Sequence, residues 1–232
     1  MGKMGNNGNY GRYLPQPPSF PITPISPTNP ISPTTQYHFH NFIKKSTTMP
    51  KEFLPQNKNY KNLIAYQKAE CIYDITFYFA HKYLSKGDRT IDQMIQAARS
   101  GKQNIAEGSA ASVTSSETEI KLTNVAKASL QELLVDYEDY LRVRNLKQWP
   151  TDSEKSIQTR AVCRQHSDSG YYREAIEKRS DETIANIAIT LIYQTDLLLR
   201  KLIEHQKSEF LKNGGIKEEM YKARMDWKKH NQ

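Results

Sequence analysis

Residues 62–88 read NLIAYQKAECIYDITFYFAHKYLSKGD, and the spacing of apolar side chains in this stretch decides the fold class. Leu63, Tyr66, Ala69, Tyr73, Phe77, Ala80 and Leu84 recur at steps of three and four. That is the repeat of a helix burying one face, not the alternation of a strand. Gly87 supplies a stop, and Asp88 is placed to cap a second helix.

Further along, the same period returns. Ile91, Met94, Ile95, Ala98 and Ile105 form the inner face of a second helix, which is expected to end near Glu107 with Gly108 as a left-handed cap. Ser109–Ser115 is then a turn. Ser115 or Ser116 caps a third helix, and Glu119 stands at a capping-box spacing from Ser116. Leu122, Val125, Ala126, Leu130, Leu133, Tyr137 and Leu141 line that helix, which is expected to stop near Trp149-Pro150. Residues 150–180 are polar and read as a long crossover, with one turn of helix around Tyr172–Glu177. A fourth helix follows Ser180 or Asp181, buries Ile184, Ile187, Ala188, Leu191, Thr195, Leu198 and Leu202, and runs to Lys212 before Gly214-Gly215. A short charged helix is expected from Ile216 to Lys229. No segment carries a strand period, so the expected fold is all-α: an antiparallel up-and-down four-helix bundle over residues 61–212 with a charged extension, 213–232.

Residues 1–60 differ in kind. Ten of the eleven prolines lie before residue 56, and Pro21, Pro24, Pro27, Pro30 and Pro33 recur every third residue. Such a run favours extended polyproline II and builds no core. It reads as a disordered leader, either a solvated tail or a ligand for a proline-binding domain. Translation starting at Met49 is a further reading, since the helical pattern begins shortly after it. No apolar run reaches the length of a membrane span, and the first residues lack a secretory signal. The Met-Gly start is followed by Asn6 where myristoylation needs Ser or Thr. Cys71 and Cys163 are isolated, with no Cys-x-x-Cys and no Cys/His cluster. A reducing cytoplasm is the expected setting.

The formal charge of +8 suggests a nucleic-acid partner. Its distribution is uneven. Residues 1–61 carry seven Lys/Arg against one acid, residues 62–149 carry eleven of each, and residues 150–232 carry fifteen against thirteen. Most of the excess therefore belongs to the leader. Any attraction for phosphate on the helical part must come from local clustering.

The block Gln103-Asn104-Ile105-Ala106-Glu107-Gly108, preceded by Ala97-Ala98 and Ser100, resembles a signature of the four-helix-bundle family of 23S ribosomal-RNA intervening-sequence proteins. That family is similar to the accessory proteins of diversity-generating retroelements. A second block, Ala126-Lys127-Ala128-Ser129-Leu130-Gln131-Glu132-Leu133, matches the family's Ala-x-Gly-Ser-x-x-Glu-Leu with Ala128 in place of the glycine. Ile184–Lys222, with Phe210–Gly215 and Met220-Tyr221, resembles the C-terminal suffix of a bacterial subset. The resemblance spans about residues 60–149 and 182–228. It implies a bacterial, cytoplasmic bundle, a ring-like homo-oligomer, acting as a basic scaffold for RNA or a reverse transcriptase.

Candidate site residues follow from chemistry at specific positions. Arg142, Arg144, Lys147 and Trp149 gather cations and an aromatic ring at the end of the third helix, a set able to clamp phosphate and stack a base. The same cations would also complement the helix dipole. Arg99 with Lys102, and Lys121 with Lys127, extend the candidate basic surface. Asn104, Glu107 and Gly108 are read as a structural motif at a helix end. Glu132, Asp136 and Asp139 share a face, yet no Glu-x-x-His occurs to complete a di-metal bundle. His38 and His40 in the leader do not make a metal site. Arg160 and His166 match the Arg-x(4–6)-His spacing of HEPN ribonucleases, where His acts as acid or base and Arg stabilises phosphorane charge.

The favoured reading is a non-catalytic, homo-oligomeric scaffold binding RNA or a nucleic-acid enzyme, without cofactor, metal, membrane or evident small-molecule substrate. A protein–protein scaffold without nucleic acid is the alternative, and a HEPN-like ribonuclease the lesser one.

Overall fold

A computed structural model describes residues 59–231; residues 1–58 of the leader, with Met49, His38 and His40, lie outside the described residues. Every regular element among the described residues is helical. After a 3-10 turn at Tyr60–Asn62 come α1 (Ile64–Tyr83), α2 (Arg89–Ala111), α3 (Ser116–Val143), α4 (Glu154–Gln165), α5 (Ser169–Ile176), α6 (Asp181–Asn213) and α7 (Ile216–Asn231).

The four long helices share one core. α1 packs on α2 and α6, and α3 packs on the same two. Ile72, Ile75, Phe79, Met94, Ile105, Leu130, Leu133, Tyr137, Ile184 and Leu191 are buried between them. Each large apolar side chain removed from water contributes about 1.5–3 kcal/mol. Phe79 anchors the centre, with its ring 5.1 Å from Tyr137 and edge-on to Tyr140 at 4.7 Å. The buried Tyr137 hydroxyl donates to Thr76 Oγ1 at 3.0 Å, and Thr76 donates to the Ile72 carbonyl at 2.7 Å, so no polar group there is left unpaired.

Helix ends follow local chemistry. The Asp88, Ser115, Ser153, Asp168 and Ser180 side chains each accept from a backbone N–H in the first turn of the helix they precede. Ser115 is the α3 cap, its Oγ accepting from the Thr118 N–H, and the Glu119 N–H goes to the Ser115 carbonyl and not to Ser116 Oγ. α3 stops at Val143, six residues before Trp149. Asn145 adopts φ 55°, Leu146 N–H reaches the Leu141 carbonyl at 2.9 Å, and Asn145 N–H reaches Arg142 at 3.2 Å. These are the two bonds of a Schellman motif with Asn at the left-handed position.

Three further expectations are corrected. α2 does not end at Glu107 but continues to Ala111, with Gly108 in its interior. A Cβ at Gly108 would stand 3.3 Å from the Glu119 carbonyl oxygen and 3.4 Å from Leu122 Cβ. That glycine serves close approach of α3, not a helix end. The crossover is not a polar loop but two helices, α4 packed on α6 and α5 packed on α1. Cys163, Tyr172 and Ile176 are their buried anchors, too few and too short in run to register as a period. Finally, the inner face of α1 is wider than the period reads: Ala69, Ala80 and Leu84 are buried as expected, and Ala65, Ile72, Ile75 and Phe79 join them. Tyr66 and Tyr73 flank it, and Phe77 is 48% exposed.

Candidate nucleic-acid interface

That rotation of α1 turns a row of aromatic side chains outward. Tyr73, Phe77 and His81 lie one turn apart, with ring centroids 6.3 Å and then 4.4 Å from each other. From the neighbouring α2, Lys102 places its ammonium 4.4 Å from the centre of the Tyr73 ring. Arg99 lies one turn before Lys102 on the same face and is exposed. A groove of about 470 Å³ opens beside the row, lined by Tyr73, Asp74, Phe77, Tyr78, Arg173 and Ile176.

The far wall of the groove is fixed by polar contacts between α1 and α5. Asp74 accepts from Arg173 Nη2 at 2.6 Å and Nε at 2.9 Å, a fork on one oxygen, and also from the Ser169 hydroxyl. The contact with Asp74 holds the Arg173 guanidinium above its ordinary pKa. Lys82 donates to the Tyr78 hydroxyl at 2.6 Å, which raises its pKa, and Tyr78 and Lys82 both reach the Glu177 carbonyl at 3.3 Å. The row of rings is thus backed by rigid elements, with Lys82, Lys102 and Arg99 around it. Arg99 and Lys102 came from the sequence; Tyr73, Phe77 and His81 did not, because their four-residue spacing also fits a core face.

The other basic candidates are tied into the fold. Arg142 pairs with Asp139 at 2.6 Å, and Arg144 lies 3.9 Å over the Tyr140 ring. Past the end of α3, Asn186 of α6 accepts from the Trp149 N–H at 2.8 Å and donates to the Lys147 carbonyl at 2.9 Å. The Trp149 indole N–H donates to Glu182 at 3.3 Å, and Lys155 lies 5.6 Å over the ring. This segment is clamped onto the first turns of α6. Lys121 pairs with Glu117 at 2.7 Å, while Lys127 at 3.5 Å and Arg200 at 3.0 Å share Asp196. Lys121, Lys127 and Arg142 thus stand on α3, and Arg144, Lys147 and Trp149 follow its end.

In the Asn104 motif, Asn104 Nδ2 donates to the Ser100 carbonyl at 2.9 Å and to its hydroxyl at 3.1 Å. The Ser100 and Ser129 hydroxyls are 2.9 Å apart, which links α2 to α3. Glu107 is exposed, and the α3 start is served by Ser115 instead.

Arg160 extends along its own helix to Ser156 Oγ at 3.0 Å. His166 caps α4 and stacks on Tyr171 at 3.8 Å with the rings 4° from parallel. Among the described residues, no hydrogen bond joins Arg160 to His166, and no group of three or more His, Cys, Asp or Glu is arranged to hold a metal. Asp136, in the acidic stripe, is half-buried on α3. Burial, followed by the charges of Glu132 and Asp139, pushes it up to about 6.

A buried lysine escaped sequence reading. Lys68, 4% exposed, donates to the Cys163 carbonyl and, at 3.4 Å, to that of His166, the last carbonyls around the end of α4. Burial lowers its pKa. Its role is to cap a helix from across the core.

No protein-family model, curated protein or solved structure matches the chain.

Proposed function

We propose that this chain is a non-catalytic scaffold, an up-and-down four-helix bundle that assembles with itself and binds RNA or a nucleic-acid enzyme such as a reverse transcriptase. The observation that carries the reading is the Tyr73–Phe77–His81 row, half-buried at Tyr73 and exposed at Phe77 and His81, with Lys102 over its first ring and Arg99 one turn away. Aromatic faces accept any base, and adjacent cations hold the backbone, which is the chemistry of sequence-tolerant single-strand binding. The resemblance to intervening-sequence proteins points the same way. Separate engagement of Arg160 and His166 favours a binding role over ribonuclease chemistry.

The test is anisotropy titration of single-stranded RNA across a range of salt. Phe77→Ala removes a stacking face worth about 1–3 kcal/mol, so affinity drops by about fivefold or more. Arg99→Ala with Lys102→Ala removes two phosphate contacts and flattens the salt slope by about 1.4. Unchanged affinity in both variants refutes the surface. Arg142→Ala with Arg144→Ala, whose wild-type side chains are already engaged, has the smaller effect.

A protein–protein scaffold is the second reading. It is favoured by the balanced charge of residues 62–149 and by exposed Val135, Tyr193 and Leu197 on two helices that pack together. Light-scattering mass with and without nuclease treatment separates the two. A multimer that neither carries nor binds RNA supports the second.

A further inference from the structure

α7 runs from Ile216 to Asn231, and every residue of it from Lys217 to His230 is exposed. Its sequence is ordered all the same. Ile216, Met220, Ala223 and Trp227 follow one another at steps of four, three and four, with His230 three residues further on. That is the seam of a two-stranded coiled coil, with Met220 and Trp227 at a positions and Ile216, Ala223 and His230 at d positions. Ile216 is half-buried at the foot of the helix, whereas Met220 is 53% and Trp227 61% exposed. Apolar residues scattered singly over a surface call for no explanation, but a stripe in register along one helix does.

The charges flanking the seam say what covers it. Lys217 and Arg224 stand at e positions, Glu219 and Asp226 at g positions. Among the described residues, neither Glu219 nor Arg224 forms an ion pair. Their five-residue separation also keeps them from meeting on one helix. In a parallel pair of identical helices, each g position faces the next e position of the other strand. Glu219 then meets Arg224 of the second copy, and two-fold symmetry makes the contact twice. An antiparallel pair would set Lys217 against Arg224 and Glu219 against Asp226, like charges on both flanks. The parallel pair also brings the ends of two α6 helices together, where Leu211 is 83% exposed.

We infer that α7 is a contact between copies of this chain: the α7 helices of two molecules pair in parallel along Met220, Ala223 and Trp227. This names a contact for the self-assembly proposed above and rests on that part of the reading, not on RNA binding. Sixteen residues give little more than two heptads, so the contact is small and the pair dissociates reversibly.

Sedimentation velocity of the full, nuclease-treated chain over about 1–100 µM is the test. The wild-type chain is expected to associate as concentration rises. Met220→Glu sets a charge in the seam of both strands and weakens association at least about tenfold. Tyr221→Glu, equally exposed but off the seam, leaves it unchanged. Glu219→Arg weakens it about tenfold by reversing both flanking pairs, and Glu219→Arg with Arg224→Glu restores it. His230→Cys reads the direction after oxidation with diamide, since Cys71 and Cys163 are buried and do not compete. Parallel strands place the two substituted sites side by side and give a covalent dimer, whereas antiparallel strands hold them about 25 Å apart. A wild-type chain that associates while Met220→Glu leaves its mass unchanged overturns the inference and leaves self-assembly standing. A wild-type chain that stays monomeric overturns both. No rescue in the double charge swap, or no covalent dimer in His230→Cys, overturns the parallel pairing.

Discussion

Gly101→Ala tests how closely α2 and α3 approach. A Cβ at Gly101 would stand 2.6 Å from Leu130 Cδ2 and 2.8 Å from its Cγ. Carbon atoms pack at about 3.5–4.0 Å, so Leu130 or the helix must withdraw by about 1 Å. Leu130 is fully buried, and closely packed interiors leave little room for such a shift. Overpacking of this kind costs about 1–3 kcal/mol, against a gain of about 1 kcal/mol from replacing a mid-helix glycine. The net expectation is a loss of about 1 kcal/mol. With an m-value of about 2 kcal/mol/M, the urea midpoint falls by about 0.5 M at constant m. A double-mutant cycle identifies the cause. Leu130→Ala removes the obstructing side chain, so the double variant should be more stable than additivity predicts by at least about 0.5 kcal/mol. A raised midpoint in Gly101→Ala, or strict additivity in the cycle, refutes the close approach.

Other expectations concern charge and burial. The Asp136 carboxyl, raised to about 6 against about 3.9 in an unfolded chain, keeps its proton in the folded state between about pH 4 and 6 while the unfolded chain loses it. Stability therefore falls as pH rises through that window. Asp136→Asn removes this slope and gains about 1 kcal/mol at neutral pH once solvent screening of the half-buried group is discounted; an unchanged slope in denaturation against pH contradicts the assignment. Lys68→Met leaves the Cys163 and His166 carbonyls without their donor, at a cost of about 1–3 kcal/mol. Hydrogen exchange should speed up across 154–176 first, and uniform protection would rule out a capping role. Cys71 and Cys163 are both buried, and burial pushes the Cys71 thiol up to about 12. Neither should react with iodoacetamide until the protein is unfolded, and rapid alkylation of the native chain would contradict this.

The helices were legible wherever a long apolar period met a strong cap. Asp88, Ser115 and Ser180 act as read, and α6 runs to Gly214 at φ 77°. Errors fell where local rules are ambiguous. A glycine signals a helix end or a close crossing equally well, and Gly108 proved to be the second. α3 ends early because Asn145 takes a left-handed turn, whereas the proline five residues later is the stronger stop signal in the sequence. The crossover held too few apolar residues for a period, although Tyr172 and Ile176 bury fully against the core. On the candidate surface, Arg99 and Lys102 were visible as charges. Of the aromatic row beside Lys102, the period assigns Tyr73 and Phe77 to the core face; Tyr73 is partly buried there and Phe77 is exposed, since spacing alone does not say which of two adjacent stripes faces inward.

The sequence by itself determined that this chain is helical, because a repeat of three and four residues is written into each long segment and depends on no distant contact. Only the tertiary structure decided the rotation of α1 about its axis. That rotation buries Ile72, Ile75 and Phe79, the last against Tyr137, and leaves Tyr73 half-buried under Lys102 and Phe77 exposed. The choice belongs to packing between helices distant in sequence, and those contacts have no local signature.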